Sequence, residues 1–334
     1  MVRDGDIYVI FVGGRHLRVT AGANINRSPG LSPDRSRVAY SGADNYIHVV
    51  SFDGTGDRTL AASHDCDPPV WSPDGEHIAC VGERSISIIN IGTDFIERTI
   101  PTSYQEFRVA PSWSNDGNRI VYDWVGDEGL GIYTFEVHSG LLQWIATSKR
   151  TPCWDAGLHS QGFSAPVFSP DGSRIAFMSG EDIMVVNSDG SDARVVVKGC
   201  WPAWSPDGTE IAFVRTLDDK SALPISGERT NRADVYVVNL STDKVFSISS
   251  GIASKCGGVR FRPPSWSPNS RDVAFSWCRD LSTDPFGLPE SESVALMGSR
   301  SDGGGAYVIE RLSYKPRRYP LDLDGLEWPT WLEN

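Results

Sequence analysis

Residues able to bind a ligand through ring faces and charges gather in a few connecting segments of this chain. Tryptophan rings stack on sugars or side chains, and an arginine guanidinium pairs in a two-pronged manner with a carboxylate. We interpret these segments as a binding site for a protein, peptide or glycan ligand. Its candidate residues are Asp65, Asp67, Glu106, Arg108, Trp154, Asp155, Trp201, Arg260 and Arg262. The alternative is a solvated rim in which Trp154 or Trp201 only packs locally.

A second interpretation of the same segments is catalytic. Imidazole, phenol and guanidinium groups would supply a base and a charge clamp for a uronate, as a polysaccharide lyase or hydrolase requires. The residues of these types are His64, Tyr104, Arg108, His159 and Arg260. The first interpretation assigns no catalytic residue and no cofactor. Ca²⁺ is the one metal ion that we consider, with Asp65 and Asp67 as its candidate ligands.

Common catalytic and nucleotide-binding motifs are absent from the sequence. There is no Gly-x-Ser-x-Gly elbow, no Walker loop and no Rossmann glycine fingerprint. Charge narrows the partners further, because 31 basic against 43 acidic residues give a net charge of −12. This charge argues against a nucleic-acid partner. No apolar run approaches the ~20 residues of a membrane helix, so we expect no membrane insertion.

A repeat around a Ser-Pro-Asp-Gly turn dominates the 334 residues. Its copies begin near residues 31, 71, 113, 168, 204 and 266. The best copy is Trp204-Ser205-Pro206-Asp207-Gly208, and each copy has a β-branched residue six positions after its serine. Proline presets φ, aspartate bonds the local backbone and glycine accepts a positive φ, so each copy predicts a hairpin turn between two apolar strands.

Two more strands complete each repeat, which predicts an all-β propeller of four-stranded antiparallel blades. In the last repeat we place the third strand at Ala306–Leu312 and the fourth at Arg317–Leu321. Arg279–Gly305 is then a long loop. Loops between second and third strands, and between blades, vary in length and lie on one face. The turns on the other face are tight. We therefore expect the ligand on the long-loop face, around the central channel.

The run Trp204-Ser205-Pro206-Asp207-Gly208-Thr209-Glu210-Ile211-Ala212-Phe213 resembles the repeat of TolB-like propellers. The same repeat forms the propeller domain of prolyl-oligopeptidase-type enzymes, and here it covers essentially the whole chain. The resemblance implies the propeller fold, which hosts many unrelated activities. The catalytic α/β domain of those enzymes has no counterpart in the sequence, so a hydrolase of that type is excluded.

The two ends of the chain read as parts of one further blade. Residues 1–20 supply outer strands, while Pro329-Thr330-Trp331 resembles the first strand Pro202-Ala203-Trp204. We predict a single propeller domain over residues 1–334, with seven blades and a last blade built from 1–20 plus 328–334. Six blades is the alternative. Met1–Arg3 would be a strand stub, so we expect a longer native chain, with further domains as an option.

Six cysteines allow 15 disulfide pairings. We favour Cys256–Cys278 within one blade and Cys153–Cys200 between two blades. Disulfides would place the protein in an extracellular or periplasmic compartment. Free thiols in a cytoplasmic protein are the alternative.

Overall fold

A computed structural model of the chain describes residues 2–3, 6–10, 16–21, 27–102, 110–126, 129–149, 164–216, 233–249, 263–283, 289–300 and 306–314. These residues form strands joined by turns, with one 3-10 helix at Ala61–Ser63. The strands build seven antiparallel sheets, in which consecutive strands pair in order. The predicted all-β fold is confirmed.

The first sheet, called the N-terminal sheet, contains β1 (Val2–Arg3), β2 (Asp6–Ile10) and β3 (His16–Arg18). Blades one and two are β4 (Arg27–Leu31), β5 (Arg37–Ser41), β6 (Ile47–Ser51) and β7 (Arg58–Leu60), then β8 (Pro69–Trp71), β9 (His77–Val81), β10 (Ser85–Asn90) and β11 (Phe95–Pro101). Blades three and four are β12 (Ser112–Trp113), β13 (Arg119–Gly126), β14 (Gly129–Glu136) and β15 (Leu142–Thr147), then β16 (Val167–Phe168), β17 (Arg174–Ser179), β18 (Asp182–Asn187) and β19 (Arg194–Lys198). Blades five and six are β20 (Cys200–Trp204), β21 (Glu210–Thr216), β22 (Ala233–Asn239) and β23 (Val245–Ser247), then β24 (Ser265–Trp266), β25 (Asp272–Thr283), β26 (Pro289–Arg300) and β27 (Ala306–Tyr314).

The hydrophobic core lies between neighbouring blades. Second strands such as β5 and β17 are buried almost throughout, whereas the fourth strand β11 is exposed along most of its length. One core cluster joins blade four to blade five through Ala176 of β17 and Phe213 of β21. Strands covered on both sides need apolar side chains on both sides, so they read as short Val/Ile/Phe runs.

The turn that the repeat predicts is held by the same hydrogen bonds in each described blade. In blade four, Ser169 Oγ donates to Asp171 (2.5 Å), and Ser169 Oγ accepts the backbone N–H of Arg174 (2.9 Å). Gly172 has a φ of +70°, which favours glycine. The aspartate therefore closes the turn.

Blade six differs from the sequence prediction. The third strand is β26 and the fourth is β27, so Ala306–Leu312 forms the fourth strand rather than the third. Most of the loop expected at Arg279–Gly305 is strand. Residues of β25 and β26 pair along this segment, from Asp272 with Arg300 to Thr283 with Pro289, and this pairing overrides the local Ser, Asp, Pro and Gly content that is typical of a loop. The fourth strand expected at Arg317–Leu321 lies outside the described residues.

The N-terminal sheet agrees with the predicted split blade as far as it is described. Val2 pairs with Ile7, so the stub expected at Met1–Arg3 is a strand beside β2. Ile7 and Val9 pack against Val38 of blade one, as a neighbouring blade does. The segment 328–334 lies outside the described residues, and closure into seven blades stays a prediction.

Candidate functional site

The short-turn face, formed by the Ser-Pro-Asp-Gly turns and the turns between third and fourth strands, uses its carboxylates internally. Hydrogen bonds from Ser169 and Ser173 hold the pKa of Asp171 at about 2. Donation from Ser32 and Ser36 lowers the pKa of Asp34 in the same way. These carboxylates are acceptors of local bonds, which leaves the long-loop face as the candidate site.

The connection from blade one to blade two is the best described part of that face. We call residues 63–67 the mouth segment. Ser63 Oγ accepts the N–H of Ile47 at 2.7 Å, and Asp65 N donates to the carbonyl oxygen of Asn45 at 2.9 Å. A serine in the 3-10 helix after the fourth strand β7 thus satisfies a donor at the start of the third strand β6. The mouth segment is fixed to blade one.

The mouth segment is also fixed to blade two. Cys66 forms a disulfide with Cys80 of β9, with 5.4 Å between the Cα atoms. Asp67 N donates to the carbonyl oxygen of Val81 at 3.0 Å. The Asp67 carboxylate accepts a hydrogen bond from the hydroxyl of Ser41 in β5, so this carboxylate is used within the connection between the two blades.

Two side chains of the mouth segment face solvent. The side chains of His64 and Asp65 are 57% and 58% exposed, and His64 Nδ1 lies 3.2 Å from Asp65 Oδ2. The imidazole meets Tyr46 edge to face, with 4.9 Å between ring centroids. A carboxylate-polarised imidazole on a rigid backbone can accept or donate a proton, or bind a charged partner group.

The structure brings together three of the predicted residues, His64, Asp65 and Asp67. Trp201, expected in the connection before blade five, lies in the first strand β20, where it is 8% exposed and packs with Ala165, Met178 and Cys200. Its ring is therefore part of the packing rather than a surface plate, and its role in ligand binding stays a prediction. The remaining predicted residues lie outside the described residues, namely Tyr104, Glu106, Arg108, Trp154, Asp155, His159, Arg260 and Arg262.

In two blades the fifth residue of the second strand anchors a connection on the long-loop face. These residues, Asp123 of β13 and Met178 of β17, were not singled out from the sequence. Asp123 Oδ2 accepts the N–H of Ser164 at 2.7 Å, and Met178 Sδ accepts the N–H of Trp201 at 3.1 Å. Burial raises the pKa of Asp123. A signal was available: at this strand position the other blades have mostly apolar residues, and an acidic residue there requires a partner.

Arg215 is a second residue that sequence reasoning missed. Its guanidinium lies 4.7 Å from the ring centroid of Tyr236 and 5.2 Å from that of Phe213. Nε donates to the carbonyl oxygen of Lys198 at 2.9 Å, so the group is held at the long-loop end of blade five. Such a preoriented guanidinium suits a carboxylate ligand. The available signal was a cation directly after the apolar residues 211–214 of the second strand β21.

One disulfide, Cys66–Cys80, joins two cysteines that neither of the favoured pairs contains. Cys66–Cys80 was not chosen, because its two cysteines meet only when the connection folds over the second strand. Cys200 is also disulfide-bonded. Cys153 and Cys256 lie outside the described residues, as does the side chain of Cys278, so both favoured pairs stay predictions.

The described residues hold neither a side-chain cluster suited to a metal ion nor a membrane-spanning helix. No group of three or more His, Cys, Asp or Glu side chains among them is arranged to hold a metal ion. No described helix is long and apolar enough to cross a membrane. Ca²⁺ at Asp65 and Asp67 therefore has no third ligand in the described part of the chain and stays untested.

Sheets of four antiparallel strands follow one another along the chain, and a Ser-Pro-Asp-Gly type of turn joins the first two strands of each. This arrangement defines a β-propeller with its candidate site on the long-loop face. The chain belongs to the TolB β-propeller family, whose model, described as the TolB beta propeller domain, matches residues 41–280. The sequence resemblance is thus confirmed.

Individual relatives are more distant. The Tol-Pal system protein TolB of Francisella tularensis subsp. mediasiatica is 30% identical over 172 residues, which cover 49% of this chain and 34% of that protein. The chain spans about a third of the length of that relative. The crystal structure of TolB from Acinetobacter baumannii has a TM-score of 0.54 at 17% identity, covering 84% of this chain and 62% of that one. The oligogalacturonate lyase of Vibrio parahaemolyticus has a TM-score of 0.61 at 13% identity, covering 96% and 88%. At these identities, the two structures share the fold alone.

Proposed function

We propose that the protein is a non-enzymatic binding module that recognises a partner protein or peptide through the long-loop face. The observation that carries the proposal is the mouth segment, whose backbone is tied to both flanking blades while His64 and Asp65 stay exposed. A rigid segment loses little conformational entropy when it binds, so exposed groups on it contribute more affinity.

The chemistry of the partner follows from charge, and we infer a cationic contact residue. Asp65 is exposed at the mouth, and the whole chain carries −12. An arginine or lysine of the partner would bind there. The curated relatives named Tol-Pal system protein TolB support a protein partner. A glycan is the other ligand class, for which the predicted residue Trp154 would be the aromatic contact.

The experiment screens labelled protein against a peptide array and a glycan array. It then measures the affinity of the best ligand for the native protein and for variants. We expect Asp65→Ala to weaken binding by about 1–4 kcal/mol. Asp189→Ala is the matched control, because Asp189 is an exposed carboxylate on the short-turn face. Equal effects of both changes, or an effect of Asp189→Ala alone, would overturn the assignment of the face.

A polysaccharide lyase is the second candidate function. The His64–Asp65 pair favours it, because a carboxylate beside an imidazole can support proton abstraction next to a uronate carboxyl group. The test incubates the protein with oligogalacturonate and follows the ultraviolet absorbance of the unsaturated product. Product formation that His64→Ala abolishes would replace the binding module with an enzyme, whereas no product leaves the first proposal in place.

We also infer a periplasmic or extracellular location, because disulfides persist in oxidising compartments. Cys66, Cys80 and Cys200 are bonded, so at most two of the six cysteines remain for free thiols. Thiol titration of protein that is unfolded without reductant should find two or fewer. Six free thiols in protein from an oxidising compartment would contradict the inference.

A further inference from the structure

Apolar side chains are concentrated on one part of the rim. Of the large apolar side chains exposed in the described residues, most lie on the adjacent outer segments of blades two and three. These residues, which we call the rim patch, are Phe95, Ile96, Leu141, Leu142 and Trp144. Isolated exposed apolar residues are ordinary, but a contiguous group marks an interaction surface.

The two halves of the rim patch are neighbours. Arg98 of β11 donates from Nε to the carbonyl oxygen of Val137 at 3.0 Å and from Nη2 to that of His138 at 3.4 Å. Val137 and His138 begin the turn that leads through Leu141 into β15. This contact sets the exposed start of β11 beside the exposed start of β15.

Strand β15 is the outer edge of blade three, and no other described strand pairs with its outer side. Its sequence, Leu-Gln-Trp-Ile-Ala-Thr, contains no charge and no proline. Every other described fourth strand longer than three residues has charged residues: Glu97 and Arg98 in β11, Arg194 and Lys198 in β19, and Glu310 and Arg311 in β27. Charges protect sheet edges against pairing, and β15 lacks that protection.

The edge is also held in place. Ile145 is buried, and Gln143 Nε2 donates to the carbonyl oxygen of Asp189 in blade four at 3.3 Å. Trp144 pairs across the sheet with Tyr133, which pairs with Tyr122, so three aromatic residues run from the core to the rim. Trp144 remains 52% exposed at the end of this row. A fixed edge needs little reordering to accept another strand.

We propose that β15 and the rim patch bind an extended segment of a partner protein by strand addition. The segment has apolar side chains at alternate positions and no charge opposite β15, because its inward side chains must cover Leu142 and Trp144. Lys149 is exposed just beyond β15 and precedes Arg150 in the sequence, so an acidic residue stands at the amino end of an antiparallel segment. A second copy is a poorer occupant, since each copy carries −12.

This site goes beyond the proposed function, because it lies on the rim and uses no residue of the mouth segment. The two proposals therefore fail separately. Asp65→Ala would leave rim binding unchanged, and Trp144→Lys would leave mouth binding unchanged.

The test uses a positional-scanning library of ten-residue peptides with Val or Ile at alternate positions and either Glu or Lys at the amino end. We expect binders with the Glu end, hydrogen-exchange protection confined to residues 142–147, and at least tenfold weaker binding by Trp144→Lys. Lys149→Glu should switch the preference to the Lys end. Val195→Lys is the control, on the already charged edge β19.

Backbone pairing is separated from side-chain contact by methylating alternate amide nitrogens of the best peptide. Loss of binding on methylation of one register, but not the other, supports strand addition. Absence of any binder, equal binding of both methylated forms, or protection elsewhere would overturn the proposal. Sedimentation that detects a dimer which Trp144→Lys dissociates would make a second copy the occupant and would also overturn it.

Discussion

Individual arginines link neighbouring blades on the short-turn face. Arg174, the first residue of its second strand, stacks over Trp204 at 4.8 Å and donates through Nη2 to the carbonyl oxygen of Gly208 at 3.0 Å. Arg37 and Arg119 make the same pair of contacts to the next blade. One side chain thus binds both the aromatic residue and the glycine of the neighbouring turn, so the repeat couples each blade to the next.

Arg174→Ala should lower the free energy of unfolding by about 1–3 kcal/mol, because it removes a cation–π contact and a charge-assisted hydrogen bond. Arg174→Lys should recover only part of this loss, since an ammonium lacks the planar fork. Urea unfolding measures both. Arg84→Ala is the control, as Arg84 is exposed and its side chain has no partner among the described residues. Equal losses for Arg174 and Arg84 would contradict the link.

The buried carboxylate of Asp123 predicts a pH dependence. Burial raises its pKa, so the folded state holds the proton more tightly than the unfolded chain does. The associated stability is present at low pH and is lost as the pH rises through the folded pKa. Relative to Asp123→Asn, whose amide oxygen can still accept from Ser164, the native protein should lose stability as the pH rises above about 4, the ordinary pKa of an aspartate. Urea unfolding at several pH values measures the difference, and a difference that is constant or of opposite sign would contradict it.

At the scale of the element, second strands were predictable and tertiary contacts were not. The fixed offset from serine to a β-branched residue located β17 and β21, because that offset is the length of the hairpin turn. Blade six was misassigned because β25 and β26 form a long hairpin, whose paired strands extend through residues with the Ser, Asp, Pro and Gly content of a loop. For the candidate site, the sequence singled out polar residues in connections, such as His64 and Asp65, whose roles stay predictions. Asp123 and Arg215 were missed because both lie within strands.

The Cys66–Cys80 disulfide should stabilise the protein through blade two. The bridge spans 14 residues, and closing a loop of about 15 residues is worth about 3 kcal/mol. The double change Cys66→Ala and Cys80→Ala should lower the free energy of unfolding by about that amount. Thermal and urea unfolding under non-reducing conditions measure the loss. A native protein whose stability is unchanged by both the double substitution and a reductant would contradict the prediction.

At the scale of the whole molecule, indole groups join the blades around the innermost strands. Trp71 Nε1 donates to the carbonyl oxygen of Gly30 at 2.9 Å, and Trp266 Nε1 donates to that of Ala203 at 2.9 Å. Trp113 and Trp204 make equivalent bonds to Val70 and Val167. In each case the acceptor is the residue just before the position, in the previous blade, that corresponds to the tryptophan. Blade six thus presents Ser265 as the next acceptor in this series.

Ring closure can be tested at Trp331, which resembles these tryptophans in sequence. If 328–334 is the first strand of the last blade, the Trp331 indole donates to the carbonyl oxygen of Ser265. Trp331→Ala should then lower the free energy of unfolding by about 3–5 kcal/mol, whereas Trp331→Phe should cost about 1 kcal/mol through the lost hydrogen bond. Phenylalanine fits this position, because Phe168 occupies it in blade four. Thermal unfolding compares both variants with Trp144→Ala, a change at an exposed ring. A melting temperature unchanged by Trp331→Ala would remove the split blade and leave six four-stranded blades as the ring.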